Sequence, residues 1–304
     1  MKRKIYILTS SFTIKKKNIE NYFSKKKYSI NIECKGSKYS EKEIVEKFSD
    51  AYAIIAGTEK YSAYVLNNLK SLKYISRCGV GIDSIDLKEL KKNRIKLLTT
   101  KNSHIEIVAE HAVAGALSLV KKLKYFNENF KKKIWIKNYV DTLYNKNIGF
   151  YGFGKIAKQI RKILIIFTSN FFINNPLKLK KISYGIKCKS LKSLYKKSDI
   201  LFICASINKN KYSLNKSILN SDKKKKIIIN TSRGELINDK ELINYLKKNK
   251  GSSYFSDVFN FEPYFGPLIK ISNTMFTPHV ATYEPNFRKL MENEALNNLS
   301  KKLK

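Results

Sequence analysis

A chain of 304 residues, 43% hydrophobic and 12% aromatic, carries enough apolar surface for two packed domains, which excludes a small disulfide scaffold and a largely disordered polymer. Lys+Arg 61 against Asp+Glu 24 leaves a net charge of +37, yet the arginines are few: positions 3, 77, 94, 161, 233 and 288. Sites that read phosphates or base edges favour the planar arginine fork, so the excess charge reads as a solvated lysine face, with no nucleic-acid partner expected.

In chain order, short β-type runs at 5–8, 28–34, 52–56, 74–78 and 95–98 alternate with lysine-rich, Leu/Ile-periodic helical patterns. Such alternation predicts βαβ units and a parallel sheet covered by helices. One long helix is then expected over 105–130, with Ala109, Ala112, Ala114, Gly115 and Ala116 making a small-residue face. That face suits a hinge element, a dimer contact or plain core packing. A second strand series follows at 147–152, 171–174, 199–204, 226–232, 253–258 and 275–278, and a helix over 284–303 closes the sequence. Two parallel sheets are expected, in halves that touch and enclose a cleft.

Cys34, Cys78, Cys188 and Cys204 form no C-x-x-C pair and no metal-like spacing, so reduced thiols of a cytoplasmic protein are expected, with no disulfide and no metal. The apolar run after Lys2-Arg3-Lys4 is too short for a signal-peptide core, and the stretch 163–173 falls short of a membrane span. No membrane partner is expected.

Gly149-Phe-Tyr-Gly152-Phe-Gly154-Lys-Ile-Ala157 lies between a predicted strand and a predicted helix and fits G-x-G-x-x-A. In that pattern Gly152 permits the tight turn, Gly154 lets backbone approach a pyrophosphate, and Ala157 keeps helix and strand close. The acid that normally follows at the end of the next strand is replaced by Asn174-Asn175-Pro176, with Lys178, Lys180 and Lys181 beyond. Asn175 lacks the charge that repels a 2′-phosphate, which leaves both NAD and NADP open.

Among the histidines, His104 precedes the long helix and His111 sits within it, where a structural role is expected, whereas His279 follows Phe276-Thr277-Pro278 at a strand end. Asn230-Thr231-Ser232-Arg233-Gly234 ends another strand and supplies a guanidinium suited to a carboxylate. Asp257 ends the next strand, and Glu262 stands in the loop beyond it. A carboxylate beside imidazole fixes the ring's tautomer and favours its protonated form, which suits proton exchange near neutrality. A pyrophosphate loop, a carboxylate clamp and an acid–base pair together describe hydride transfer between a nicotinamide and a 2-hydroxy or 2-oxo acid.

From about Tyr74 onward the chain resembles the D-isomer-specific 2-hydroxyacid dehydrogenase family, which includes phosphoglycerate dehydrogenases. The resemblance also rests on Ser76-Arg-Cys-Gly79-Val-Gly81-Ile-Asp83-Ser-Ile-Asp86, Val108-Ala-Glu110-His and Thr277-Pro-His279. It implies an α/β protein of two Rossmann-like, doubly wound parallel-sheet domains. Residues 1–103 and 281–304 would form a flavodoxin-like substrate domain, and 104–280 the NAD(P)-binding Rossmann domain. Arg233, Glu262 and His279 would be catalytic, with Arg233 on the substrate carboxylate. Thr100, Gly152, Gly154, Lys155, Ile156, Asn175, Thr231, Ser232 and Asp257 would meet the dinucleotide. Arg77, Gly79, Val80 and Gly81 would meet the substrate, Arg77 at a position that suits a distal phosphate. The resemblance further implies an NAD cofactor, with NADP as the variant, a small 2-hydroxy or 2-oxo acid as substrate, and a homodimer. The substrate expectation starts from 3-phosphoglycerate, with glyoxylate, hydroxypyruvate and a sugar-derived acid as others. An NAD(H)-sensing binding protein with little turnover is the alternative within the same fold. Three departures from the family pattern stand out: Asn175, Thr168 for a glycine, and Cys204-Ala-Ser206 for His-x-Pro.

Overall fold

The computed structural model describes residues 2–9, 12–35, 39–101, 103–176, 185–207 and 210–303. The chain divides into two compact units, Met1–His104 with Tyr283–Lys304, and Ile105–Thr282.

In the first unit, β1 (Arg3–Ile7), β2 (Tyr28–Ile32), β3 (Ala51–Ala56), β4 (Tyr74–Arg77) and β5 (Lys96–Thr99) form a parallel sheet in the order β2-β1-β3-β4-β5. This is the flavodoxin-like order. Alternate side chains feed opposite cores, as strand geometry requires: Ile54 and Ala56 join Tyr6, Phe48 and Leu66, while Ala53 and Ile55 join Ile5 and Ile7. The helices of this unit are α1 (Lys16–Glu20), α2 (Glu41–Phe48), α3 (Ala63–Asn68) and α4 (Leu87–Lys92). Ser40 starts α2 with a reciprocal capping box to Glu43, and the Asp86 side chain caps α4 by accepting from the Lys88 and Glu89 N–H groups.

In the second unit, the strands are β6 (Ile148–Tyr151), β7 (Phe171–Asn174), β8 (Ile186–Lys187), β9 (Ile200–Ile203), β10 (Ile227–Asn230), β11 (Ser253–Ser256) and β12 (Thr274–Phe276). All pairings are parallel, in the order β12-β11-β10-β9-β6-β7-β8. Strand order reverses between β6 and β9, the point at which doubly wound sheets bind ligands at their carboxyl edge. Here the helices are α5 (Ile105–Val120), α6 (Leu123–Lys131), α7 (Lys155–Leu164), α8 (Leu191–Lys197), α9 (Lys216–Leu219) and α10 (Asp239–Lys248). The closing helix, α11 (Pro285–Leu303), belongs to the first unit and buries Met291, Ala295, Leu296 and Leu299 against its sheet.

The α/β expectation holds, with corrections in detail. The single helix expected over 105–130 is two, broken at Lys122, whose φ of 51° is left-handed. Apolar residues continue through the break, but α6 buries none of them; periodicity reports composition and does not say where the core ends. The small-residue face of α5 serves packing within its own unit. A Cβ on Gly115 would sit 2.5 Å from the Phe255 ring, and Ala109, Ala112 and Ala116 are fully buried, while Ala114 faces solvent. Strand β8, two exposed residues at the sheet edge, had no sequence signal.

Candidate active site

Three adjacent strands of the second sheet, β10, β11 and β12, end at the same carboxyl edge and deliver the site. Beyond β10, Asn230 is fully buried and organises the turn: its Nδ2 donates to the Arg233 carbonyl (2.9 Å) and its Oδ1 accepts from the Ser232 N–H (3.1 Å). Ser232 Oγ donates to the Ala205 carbonyl at 2.5 Å, which ties this turn to the one after β9. The Arg233 guanidinium donates Nη1–H to the Ser232 carbonyl at 2.7 Å. Gly234 is obligatory, because a Cβ there would lie 2.0 Å from the Phe259 carbonyl carbon. The Arg233 turn and the loop carrying Glu262 therefore meet backbone to backbone.

That loop is stapled at its far side. Asn260 Nδ2 and Tyr264 Oη donate to the two oxygens of Asp239 at 2.6 and 3.1 Å, and Phe259 stacks on Tyr264 with ring centroids 4.7 Å apart. Burial pushes the Asp239 carboxyl up, against the pull of the two hydrogen bonds. Within the loop, the Phe259 N–H donates to Glu262 Oε1 at 3.3 Å.

Glu262 faces His279. Both carboxylate oxygens lie within hydrogen-bond distance of Nδ1, at 3.0 and 2.9 Å. A carboxylate only accepts, so Nδ1 carries the proton and Nε2 is the nitrogen left to exchange one. The ring is 41% exposed and so open to a ligand. Its backbone has φ of 56°, a left-handed conformation that costs a non-glycine residue about 1–3 kcal/mol and persists where surrounding bonds hold it. Those bonds come from Asp257, 1% exposed, which accepts from the Val280 N–H (2.9 Å), the Ala281 N–H (3.0 Å) and Thr277 Oγ1 (2.6 Å).

At the switch point, Gly152 has φ of 86°, and a Cβ on it would lie 2.5 Å from the Ala205 nitrogen, so the turn after β6 accepts no other residue without strain. Gly154 is its opposite: a Cβ there meets nothing within 4 Å. This open space lies at the N-terminus of α7, where backbone N–H groups suit a pyrophosphate. Ala157 is fully buried and Ile156 packs on the core behind the turn. The residues present thus fit a dinucleotide. Asn175 follows β7 half-buried, and its neighbour Asn174 donates to the Cys188 carbonyl at 3.0 Å. Lys178, Lys180 and Lys181 lie outside the described residues. Thr168, at the departure before β7, is buried and donates to the Lys146 carbonyl at 2.9 Å.

The remaining candidates belong to the first unit. Thr100 is buried just past β5. Arg77, 8% exposed, turns into its own loop, where Nε donates to the Gly81 carbonyl (3.0 Å) and Nη1 to the Cys78 carbonyl (2.7 Å), while Val80 at the tip is exposed. Within the second unit, sequence reasoning placed Thr277 only inside a motif and gave His111 a general structural role; Thr277 Oγ1 in fact lies 2.9 Å from His111 Nε2. A threonine two residues before a strand-end histidine was the available signal. Among the described residues, no cluster of three or more His, Cys, Asp or Glu suits a metal ion, and no helix is long and apolar enough to cross a membrane.

Residues 113–281 match the family model described as D-isomer specific 2-hydroxyacid dehydrogenase, NAD binding domain. The hydroxypyruvate reductase of Thermotoga maritima is 26% identical over 234 residues, 75% of this chain and 76% of that one. A D-3-phosphoglycerate dehydrogenase of Bacillus subtilis is 28% identical over 235 residues, but the chain covers just 44% of its length. Among solved structures, a glyoxylate reductase from Paecilomyes thermophila superposes with a TM-score of 0.88 at 21% identity, covering 100% of this chain and 96% of that one, a likeness of fold. Since the matched model spans more than half its length, the chain belongs to the D-isomer specific 2-hydroxyacid dehydrogenase family, as an NAD(P)-dependent oxidoreductase.

Proposed function

We propose that the protein transfers hydride between NAD(H) and C2 of a small D-2-hydroxy or 2-oxo acid. The observation that carries this reading is the Glu262–His279 pair, with Nδ1 engaged and Nε2 open, beside the Arg233 turn at one sheet edge. When bound, the nicotinamide supplies or accepts the hydride. Gly152, Gly154, Lys155 and Ile156 would hold its pyrophosphate, Asn175 its ribose, and Thr231, Ser232 and Asp257 would line the approach. Arg233 binds the substrate carboxylate through its guanidinium. His279 Nε2 gives or takes the proton of the C2 oxygen, and Glu262 stabilises the imidazolium while fixing its orientation. Gly79, Val80 and Gly81 are the first unit's candidates for binding the acid.

Arg77 bears on the substrate class. The expectation of 3-phosphoglycerate rested on that side chain and on the excess positive charge, and Arg77 Nε and Nη1 donate to loop carbonyls. This favours an unphosphorylated acid such as hydroxypyruvate or glyoxylate. The test is oxidation of NADH and of NADPH at 340 nm across 2-oxo acids, phosphorylated ones included. His279→Gln is expected to lower kcat about 10²–10⁴-fold with little change in KM, as for loss of a general acid. Arg233→Ala is expected to lose binding and turnover together, about 1.5–3 kcal/mol from the charged hydrogen bond plus the loss of orientation. Near-normal kinetics in either variant removes that residue from the mechanism.

We also infer a homodimer. The stretch 123–144 exposes Leu123, Phe130, Trp135, Tyr139 and Tyr144, with Trp135 76% and Tyr139 96% exposed, and α6 buries none of its own residues. Exposed apolar side chains grouped along one stretch of chain suit contact with a second copy. Sedimentation should show a dimer that Trp135→Asp converts to monomer; a monomeric wild type rejects the inference.

A further inference from the structure

Three side chains next to His279 take no part in the proton transfer proposed above, and they form one chain of contacts. The Asp257 carboxylate accepts from Thr277 Oγ1, from the Val280 N–H and from the Ala281 N–H, at 2.6, 2.9 and 3.0 Å. These contacts bracket His279: one anchor two residues before it, and two directly after. From the other side, His111 on α5 places Nε2 2.9 Å from Thr277 Oγ1 and 3.5 Å from Asp257 Oδ1, and its ring lies 5.6 Å from that of Phe255.

Hydrogen-bond chemistry sets the direction of this chain. A carboxylate accepts only, and a threonine hydroxyl has one proton, so that proton goes to Asp257. The Thr277 oxygen must then accept from His111, which requires an Nε2–H tautomer. Burial pushes the Asp257 carboxyl up, but the nearby His111 ring and the bonds from Thr277 and the two N–H groups outweigh it and hold the group below the ordinary aspartate range. Asp257 is therefore an anion at neutral pH, able to accept all three bonds.

We propose that His111, Thr277 and Asp257 act as a single positioning unit, an Nε2–H···Oγ–H···Oδ chain that locks the left-handed turn at His279 and thereby sets the ring against Glu262. His111 and Thr277 touch neither substrate nor reacting atoms in this scheme; they act through the backbone of residues 277–281. Asp257 then serves the acid–base histidine first, and any contact with the dinucleotide second. The proposal rests on the reading of His279 as the acid–base group, so its test includes a readout independent of turnover.

With three histidines in the chain, ring 1H–15N spectra of the full-length protein can be assigned residue by residue. In the wild type, His111 is expected as a persistent Nε2–H tautomer and His279 as Nδ1–H. Thr277→Val removes the relay at nearly constant shape. It is expected to shift or broaden the His279 ring signals and to lower kcat about 30-fold, as misplacement of a reacting group does. Substrate KM and NADH affinity should stay within about threefold, the split that marks a lost transition-state interaction. Thr277→Ser keeps the hydroxyl and should restore kcat to within about threefold of wild type, and His111→Gln should be milder than His111→Leu because the amide still donates. Should Thr277→Val fail to fold, the serine variant and the His111 pair decide. The proposal is overturned if Thr277→Val keeps kcat within about twofold, if kcat and NADH affinity fall in step, or if wild-type His111 is the Nδ1–H tautomer. A wild type that reduces no 2-oxo acid, yet loses its His279 signature in Thr277→Val, overturns the enzymatic reading and supports the positioning unit.

Discussion

Two glycine turns close strands in the two units, and they are built in opposite ways. After β4, the turn Gly79–Val80–Gly81 is filled from inside: Arg77 donates to the carbonyls of Cys78 and Gly81, and a Cβ on Gly79 would lie 3.0 Å from the same guanidinium. After β6, the turn Gly152–Phe153–Gly154 has no side chain filling it at Gly154, where the space is open at the start of α7. The first turn carries its own cation, whose donors meet the loop's carbonyls. In the second, backbone N–H groups at a helix terminus face open space, the arrangement that suits an anionic ligand. A glycine pair by itself therefore does not mark a phosphate cradle; what occupies the space above it does.

Three substitutions test that contrast. The largest effect is expected from Gly152→Ala, which must adopt a positive φ and push a Cβ against the Ala205 backbone at 2.5 Å. Strain and overpacking together should cost about 2–5 kcal/mol of stability, with NADH binding lost in titrations. Arg77→Ala comes next. It leaves two loop carbonyls without their charged donor, an expected loss of about 2–3 kcal/mol in denaturant unfolding. If the turn instead depends on a substrate anion for its order, Arg77→Ala will change stability little unless that acid is present, and the contrast between the loops breaks down. Gly154→Ala should have the smallest effect on folding, within about 0.5 kcal/mol, because its φ of −82° suits alanine and nothing is within 4 Å. Its NADH affinity should nonetheless fall about tenfold, since the methyl group enters the space left for the pyrophosphate. An unchanged affinity would mean that the opening is not the cradle.

Much of this was legible in the chain. The strands that carry the site, from β6 to β12, apart from β8, were marked by short β-branched and aromatic runs, and their ends fell near Gly152, Arg233, Asp257 and His279. Strand-end motifs read well because a parallel sheet sends every loop after a strand to the same edge. The break at Lys122 was not legible, since helical periodicity continues across it into residues that stay exposed. The partner of His111 was not legible for a related reason. An apolar neighbourhood on α5 says that a histidine is partly buried, but its partner Thr277 lies 166 residues away in sequence.

Local chemistry alone determined the alternation of strand and helix, the glycine turn, the caps on α2 and α4, and the residue types suited to a carboxylate and a proton. These follow from backbone sterics and side-chain pKa, which act over a few residues. Tertiary structure decided which groups each cation engaged, which glycine faced space and which faced backbone, and which way the His279 ring pointed. Those properties depend on hydrogen-bond partners brought together from distant parts of the chain, and a carboxylate such as Asp257 acquires its three donors only when the strands have paired and their loops have met.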